Sequence, residues 1–380
     1  MRFYQLLISS VVIFFVLYAP QPLMPLLSLE FNVSAASAGS LMTATMIPLA
    51  IAPLIYGFVL AKENPLKILK LSMIGLALTC LLVPFITEFN HFFIIRICQG
   101  LLLPAALTSM TTYIACRYQG LELQKKMGIY IASTIAGGFF GRVISASFAE
   151  FFTWQDFYLV IAVTLFVLAG LIRIKKQLAI SATSSVFSHL KDIQNPTMLK
   201  TYGAVFCMFF CFAAILNYLP FILRDKFDIQ STQQIGFVYI GYLLGALASL
   251  LSPWLVKTSA NTFKLLTYVF LFYSCSILLM IPADLISFMV AFTFFCSAMF
   301  IIHSTTAPLI NKISPATPSV TNGVYVSFYY CGGALGSYFP GLIYQHWGAL
   351  YFLLAIVLVC LIGGGLIYSA RSGTEITATS

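Results

Sequence analysis

Charged side chains are scarce in this sequence of 380 residues. Only 8% of the residues are Asp, Glu, Lys or Arg, whereas 60% are apolar and 15% are aromatic. Soluble domains carry about 25% charged residues, so this composition excludes a water-soluble globule. The nine cysteines lack the spacing of zinc or redox sites, and no nucleotide-binding Gly-x-x-x-x-Gly-Lys loop is present. We therefore predict no cofactor and no metal, and we do not expect ATP to supply energy directly.

Catalytic groups are few as well. Of the four histidines, His91, His189 and His346 lie at or outside the ends of apolar runs, and no Asp or Glu lies deep inside one. The motifs of zinc proteases and serine hydrolases are missing. A membrane-embedded enzyme is therefore a remote alternative. A sensor or scaffold, the other alternative class, would normally carry an added soluble domain, and only a short polar stretch follows Tyr368.

Long apolar runs, in contrast, recur from end to end. A helix of about 20 residues crosses about 30 Å of hydrocarbon. The sequence predicts an all-α membrane protein with twelve transmembrane helices, and the first run has no cleavage site that would make it a removed signal peptide. The predicted spans are residues 5–29, 36–61, 67–88, 91–116, 128–150, 154–174, 200–223, 233–256, 263–282, 284–309, 320–344 and 348–369.

The basic residues report the orientation of these spans. If both termini are cytoplasmic, most of the 20 Lys and Arg residues fall in cytoplasmic loops. Only Arg224 and Lys226 fall outside, and Arg96 and Arg142 lie within spans. This asymmetry follows the positive-inside rule. The net charge of +9 is therefore a topology signal, and we expect no nucleic-acid partner.

The two halves of the chain repeat each other. A shift of 195 residues lays MGIYIASTIAGGFFGR, at 127–142, on NGVYVSFYYCGGALGS, at 322–337. Six spans that repeat in the same orientation predict two six-helix bundles with a central cavity between them. The predicted domains are an N-terminal bundle at 1–174, a cytoplasmic linker at 175–199, a C-terminal bundle at 200–369 and a cytoplasmic tail at 370–380.

Each half carries a Gly-Gly-x-x-Gly pattern, which lets two helix backbones approach closely. One interpretation is ordinary helix packing, and the other is a conformational seam on which the halves rock. We favour the seam because both halves keep the pattern at the same place. Its residues are Gly137, Gly138, Gly141, Gly332, Gly333 and Gly336.

Three segments resemble a known family. YAPQPLMPLLSLEFNVS at 18–34 resembles the first span of bacterial efflux-type members of the major facilitator superfamily, which exchange drugs or metabolites for protons. RICQG at 96–100 is similar to the family's Arg-x-x-Gln-Gly motif, and AGGFFGRVISASFAEFFTWQDFY at 136–158 to its glycine-rich fifth span. The resemblance implies the major facilitator fold, with the first, fourth, seventh and tenth spans lining the cavity, and efflux across a bacterial inner membrane.

The loop after the second span departs from that family's pattern. The resemblance would place Gly-x-x-x-Asp-Arg-x-Gly-Arg there. Gly57 is kept, but Ala61 replaces the aspartate and Lys62 the arginine. The charge latch that the family carries is therefore degraded, although Lys62 and Lys67 remain as partners for lipid phosphates.

Prolines interrupt two presumed cavity helices. Pro20, Pro22 and Pro25 lie in the first span and Pro220 in the seventh. Proline frees backbone carbonyls, which neighbouring helices or cavity water can satisfy. These residues are either hinges or caps of the outer helix ends, and the sequence favours neither.

Two arginines in the outer half of the membrane are the main functional candidates. Arg96 and Arg142 either form a buried network with Glu30, Glu150 or Asp156, or at least one of them holds an anionic substrate group. Arg142 is the stronger substrate candidate, whereas Arg96 matches a motif that the resemblance links to proton coupling.

The remaining candidates are a histidine and a set of polar or aromatic side chains. His303 is either a helix-packing residue or a proton relay, and Glu30, Glu150 and Asp156 are the other possible proton carriers. Aromatic contacts with lipid explain most of the 35 Phe and 20 Tyr residues. The predicted cavity residues are Gln21, Gln99, Arg142, Asn217, Tyr218, Tyr329 and Tyr330.

Together these features predict a monomeric secondary transporter. It would export a small amphipathic or anionic organic molecule by alternating access, with a proton gradient and the lipid bilayer as its other partners. An exporter of a carboxylate-type siderophore or organic acid, or an importer of such anions, is the alternative within transport.

Overall fold

The computed structural model of the protein describes residues 1–59, 63–174, 195–282, 284–316 and 318–377. Every regular element in these ranges is a helix, which confirms the predicted all-α class. In order the α-helices are α1 (Phe3–Tyr18), α2 (Met24–Glu30), α3 (Ala35–Val59), α4 (Pro65–Leu82), α5 (Phe89–Arg117), α6 (Gly120–Phe151), α7 (Trp154–Leu171), α8 (Pro196–Phe227), α9 (Thr232–Val238), α10 (Ile240–Ala248), α11 (Ser252–Thr258), α12 (Thr262–Leu279), α13 (Leu285–Ile313) and α14 (Pro318–Thr377). Short 3-10 helices cover Gln21–Leu23, Val83–Phe85 and Ser249–Leu251.

Membrane-length helices dominate the described residues. Eleven helical stretches are long and apolar enough to cross a membrane. The last of them, Val320–Ala370, spans 51 residues and is interrupted at Gly348, where φ is 77° and ψ is −175°. Only glycine adopts such a backbone readily, so two helices meet there. Counting both gives the twelve spans that the sequence predicts.

The chain divides into two compact units. The first comprises Met1–Val33, Ser40–Ser184 and Leu223–Tyr239, and the second comprises Ser34–Gly39, Ser185–Ile222 and Ile240–Ser380. Residues 175–194, which make up most of the predicted linker, lie outside the described residues. Helix α14 continues to Thr377, past the predicted start of the tail. The predicted domain boundaries stay a prediction.

Within the first unit, α1 packs against α6, and α4 packs against α5 and α7. Within the second unit, α12 packs against α13 and α14, and α10 packs against α13. The helices bury apolar side chains against one another and leave further large apolar residues exposed on the outside, as a bilayer requires.

The repeated glycines lie in equivalent contacts inside the two units. A Cβ atom added at each glycine would meet the opposite helix backbone. The facing pairs are Gly137 with Val11, Gly141 with Phe15, Gly332 with Phe206 and Gly336 with Phe210. Each pair in the second unit lies 195 residues after its counterpart, so the duplication extends to individual contacts. These contacts are helix packing within a unit, the alternative that the sequence left open, and a seam between the halves stays a prediction.

Candidate functional site

The candidate site begins at the proline-rich break in the first span. Helix α1 ends at Tyr18, a 3-10 turn covers Gln21–Leu23, and α2 starts at Met24. Proline has no N–H, so Pro20 leaves the carbonyl of Val16 without its helical donor. The break therefore creates acceptors inside the membrane that other helices must satisfy.

Arg96 on α5 supplies those donors. Its Nη1 donates to the Val16 carbonyl at 2.7 Å, and its Nη2 donates to the Leu17 carbonyl at 2.9 Å. Its Nε donates to the Leu41 carbonyl at 3.3 Å, and Nη1 also donates to Gln99 Oε1 at 2.8 Å. The side chain is fully buried. Arg96 thus ties α1 and α3 to α5 through backbone oxygens.

The acidic residues expected near the arginines have other partners. Glu30 accepts hydrogen bonds from Trp154 Nε1 at 2.6 Å and from Gln155. Glu150 accepts a hydrogen bond from the Thr232 hydroxyl at 2.8 Å. Asp156 caps the start of α7 by accepting from the backbone and hydroxyl of Thr153. In the part of the chain that the structure describes, Arg96 forms no ion pair, so the predicted buried ion-pair network does not apply to it.

Arg142 on α6 occupies a different environment beside the same break. Its Nε donates to Gln21 Oε1 at 2.6 Å, and its Nη1 donates to the Gly138 carbonyl. The guanidinium carbon lies 4.1 Å from the ring centroid of Tyr18 and 5.3 Å from that of Tyr239. Arg142 is only 1% exposed. The structure therefore brings two predicted cavity residues, Arg142 and Gln21, into direct contact.

Serine also stabilises the break. The Ser145 hydroxyl, one turn along α6 from Arg142, donates to the Ala19 carbonyl at 2.9 Å.

The other prolines lie elsewhere in their helices. Pro25 lies at the start of α2, where a missing N–H costs nothing, and Pro220 lies inside α8. Pro20 therefore breaks its helix, whereas Pro25 fits into the first turn of the next one.

A second cluster of predicted residues lies in the second unit. The Tyr325 hydroxyl and His303 Nδ1 are hydrogen-bonded at 2.6 Å. The rings of His303 and Tyr329 have centroids 5.1 Å apart, and Tyr329 stacks on Phe209 at 3.6 Å. Tyr330 meets Tyr329 edge to face. His303 is therefore part of an aromatic cluster and not a lone histidine.

The structure also describes three other predicted cavity residues, Gln99, Asn217 and Tyr218. Gln99 belongs to the Arg96 network, and its Nε2 lies 3.8 Å from Cys80 Sγ. Tyr218 donates to the Ser337 carbonyl at 3.1 Å, and Asn217 is fully buried in α8. These contacts do not show whether the three residues bind a substrate. Their assignment to a cavity therefore stays a prediction.

The loop-motif residues are only partly described. Gly57 lies in α3, and Lys62 lies outside the described residues. Lys67 pairs with Glu63 at 3.0 Å, one turn away on the exposed surface. Such exposed pairs contribute little stability. Pairing of Lys67 with lipid phosphates stays a prediction.

Sequence reasoning missed Tyr18 and Tyr239 as neighbours of Arg142. Tyr18 stands three residues before Gln21, next to the proline break, which could have placed it in the same site. Tyr239 carried no such signal, because only the folded chain brings α9 close to α6. One carbonyl partner of Arg96, that of Val16, could have been found from Pro20, because a proline deprives the carbonyl four residues before it of its helical donor.

The helical architecture, with eleven stretches long and apolar enough to cross a membrane among the described residues, defines a polytopic membrane protein. A family model described as "Major Facilitator Superfamily" matches residues 6–318. The chain belongs to this superfamily, which confirms the superfamily that its motifs indicate. Its membership of the efflux branch stays a prediction.

Relatives and solved structures agree with this assignment. An "Uncharacterized transporter" of Buchnera aphidicola subsp. Schizaphis graminum is 24% identical over 91% of this chain and 86% of its own. The "Inner membrane transport protein YnfM" of Escherichia coli is 27% identical over 67% of this chain and 57% of its own. A crystal structure of a mutant of the nucleoside transporter NupG matches with a TM-score of 0.79 at 12% identity, over 97% of this chain and 99% of that one. At that identity the structural match shows the fold alone.

Proposed function

We propose that this protein is a secondary transporter that exports a small amphipathic or anionic organic molecule, with Arg142 binding the anionic group. Its superfamily membership supports transport. The bacterial relatives, one of them named an inner membrane protein, support a place in a bacterial inner membrane. We further propose that the protein works by alternating access, as a monomer with both termini in the cytoplasm, and performs no covalent chemistry.

The environment of Arg142 carries the proposal. A guanidinium binds carboxylate or phosphate through two parallel hydrogen bonds, and burial in a low dielectric strengthens that attraction. The Tyr18 and Tyr239 rings beside it provide faces for the apolar part of an amphipathic molecule. Because Arg142 is 1% exposed, a substrate reaches it only when these neighbours move. The short elements around Pro20 and Pro22 are suited to that movement.

Proton exchange is the proposed energy source. His303 is half-buried, and the Tyr325 hydroxyl at 2.6 Å from its Nδ1 suits the relay of a proton. Glu30 is exposed near the end of the first span and is the second candidate. Glu150 and Asp156 remain as further carriers. Arg96 is a poor candidate because its donors are occupied by carbonyl oxygens.

A ligand screen tests the substrate class. The detergent-purified protein is heated with a panel of organic anions and a panel of lipophilic cations, since a ligand at 100 times its Kd stabilises the folded state by about 2.7 kcal/mol. We expect carboxylates to raise the unfolding temperature of the wild type. In Arg142→Gln the same anions should bind at least about tenfold more weakly, because the charge-assisted hydrogen bonds are lost.

Two control variants make the screen specific. Arg142→Lys keeps the charge without the planar fork and should retain part of the response. Lys257→Gln removes one exposed positive charge on α11 and should respond like the wild type. Stabilisation by cations in all variants would instead make the protein a multidrug-type exporter and remove Arg142 from the binding site.

The alternatives within transport need a second assay. A carboxylate-type siderophore or another organic acid would fit the same guanidinium, and an importer of such anions would use the same contacts. Liposomes that contain the protein and a labelled anion from the screen are placed in a pH gradient of either sign. Movement of the anion against the proton flow supports antiport and export, whereas co-movement with protons supports the importer.

A further inference from the structure

A basic cavity lies at one end of the first unit, away from the Arg142 site. Its volume is about 700 Å³. It forms where α1 and α4 begin and where α5 and α7 end. Residues that line it include Arg2, Tyr4, Asn64, Tyr113, Arg117 and Arg173. Arg2 and Tyr18 are about 24 Å apart along α1, at about 1.5 Å per residue, so this cavity is distinct from the substrate site proposed above.

Three guanidiniums line the cavity, and none of the described residues that line it is an Asp or Glu. Over the described ranges, Arg2, Arg117 and Arg173 form no ion pairs. Arg2 Nη1 donates to the Tyr4 hydroxyl at 3.2 Å, and Arg117 Nη1 donates to the Tyr113 hydroxyl at 3.4 Å. Each guanidinium carries five N–H donors, so these bonds use a small part of the set. The cavity therefore suits an anion with several acceptor oxygens.

The position of the cavity indicates where that anion comes from. The four helices cross the membrane and have their ends here, so the cavity lies at a membrane surface. Leu171 on its wall is 54% exposed and Tyr4 is 52% exposed, which places apolar surface beside the cations. By the distribution of basic residues this end faces the cytoplasm, where anionic lipids give the membrane a negative surface.

We infer that this cavity binds the phosphate of a negatively charged headgroup, and its position favours an anionic membrane lipid as the source. The arginines bind phosphate oxygens through charge-assisted hydrogen bonds. The acyl chains of the lipid lie along the exposed apolar residues at the rim. Lipid bound here holds together the ends of four helices and stabilises the first unit.

The test is a titration of the purified full-length protein in detergent. A short-chain phosphatidylglycerol is added, the unfolding temperature is measured, and phosphatidylcholine of the same chain length is the neutral-headgroup control. We expect phosphatidylglycerol to stabilise the wild type and phosphatidylcholine to have little effect. Arg117→Gln and Arg173→Gln should each bind phosphatidylglycerol about fivefold more weakly, which corresponds to about 1 kcal/mol of attraction per arginine.

Lys264→Gln is the matched control, because it removes an exposed cation at the start of α12 in the second unit. It should bind phosphatidylglycerol like the wild type. If Lys264→Gln and Arg117→Gln weakened phosphatidylglycerol binding equally, the effect would be one of general surface charge and the inference would be overturned. Equal stabilisation of the wild type by the two lipids would also overturn it. Both arginine side chains are exposed, so their removal leaves the fold intact.

A separate arm of the titration distinguishes the two sources of phosphate. Inorganic phosphate is added to the wild type and to Arg173→Gln in place of lipid. If inorganic phosphate stabilises the wild type but not Arg173→Gln, the cavity is a phosphate site whose ligand is a free phosphate compound. No response to phosphate, with an arginine-dependent response to phosphatidylglycerol, assigns the site to lipid. Absence of any response to either compound contradicts the inference.

Discussion

At the scale of single residues, Arg96 compensates for a proline. Pro20 deprives the Val16 carbonyl of its helical donor, and Arg96 Nη1 donates a hydrogen bond to that carbonyl at 2.7 Å instead. The second unit supports this coupling. At the positions 195 residues later stand Ile215 and Ala291, so the proline and the arginine are absent together. Helix α8 accordingly continues unbroken from Pro196 to Phe227.

A double-mutant cycle measures this coupling. Arg96→Gln should lower the free energy of unfolding by about 2 to 3 kcal/mol, since several hydrogen bonds to a buried charged group are lost. In a Pro20→Ala background the Val16 carbonyl regains a helical donor, so the same change should cost about 1 kcal/mol less. Unfolding in mixed micelles with increasing dodecyl sulfate gives the four free energies. Additive effects would mean that Arg96 and Pro20 act independently.

At the scale of helices, the two units use one packing device. Glycines of α6 face α1 in the first unit, and the equivalent glycines of α14 face α8 in the second. Glycine at these positions allows the two helix backbones to make close contact. Such contact stabilises helix pairs in a membrane, where the surrounding hydrocarbon provides no hydrophobic driving force for their association. A side chain at Gly137, Gly332 or Gly336 would collide with a carbonyl oxygen of the facing helix, and backbone cannot move aside as a flexible side chain can.

Two alanine substitutions on α14 test this packing. Gly332→Ala should destabilise the protein by about 1 to 3 kcal/mol, because its Cβ would collide with the backbone of Phe206. Gly323→Ala is the control, since nothing lies within 4 Å of the Cβ position. It should be neutral or stabilising by up to about 1 kcal/mol, because alanine favours the helix. The thermal unfolding of both variants is compared with that of the wild type, and equal shifts would refute close packing at Gly332.

At the scale of the whole molecule, the two repeats have diverged in chemistry while keeping their geometry. Arg142 donates to the Gly138 carbonyl, and its counterpart Ser337 donates to the Gly333 carbonyl. The duplicated position is therefore a guanidinium in the first unit and a neutral hydroxyl in the second. The proposed anion site accordingly belongs to the first repeat.

The orientation of the whole chain can be tested by fusions. We expect green fluorescent protein, which fluoresces when it folds in the cytoplasm, to fluoresce when joined after Ser380. Joined after Gln230, in the loop that follows Arg224 and Lys226, it should stay dark and alkaline phosphatase should be active instead. The reverse pattern would invert the topology and place the basic cavity on the outer surface.

The sequence by itself determined the helical class, the number of spans and the duplication. These properties follow from local constraints. Hydrocarbon thickness sets the length of each apolar run, and the need to satisfy every backbone group inside the membrane selects helices. The break in the first span was also readable from Pro20 and Pro22. The motifs that carried the family resemblance agreed with the family model.

Only the tertiary structure decided what each buried arginine contacts. Arg96 and Val16 are separated by 80 positions in sequence, and Arg142 and Gln21 by 121. Their pairing depends on which helices become neighbours and how those helices are rotated, which apolar periodicity inside a membrane barely encodes. The sequence offered carboxylates as partners because opposite charges attract. Arg96 instead binds backbone carbonyls, because the proline break had already placed unsatisfied oxygens within its reach.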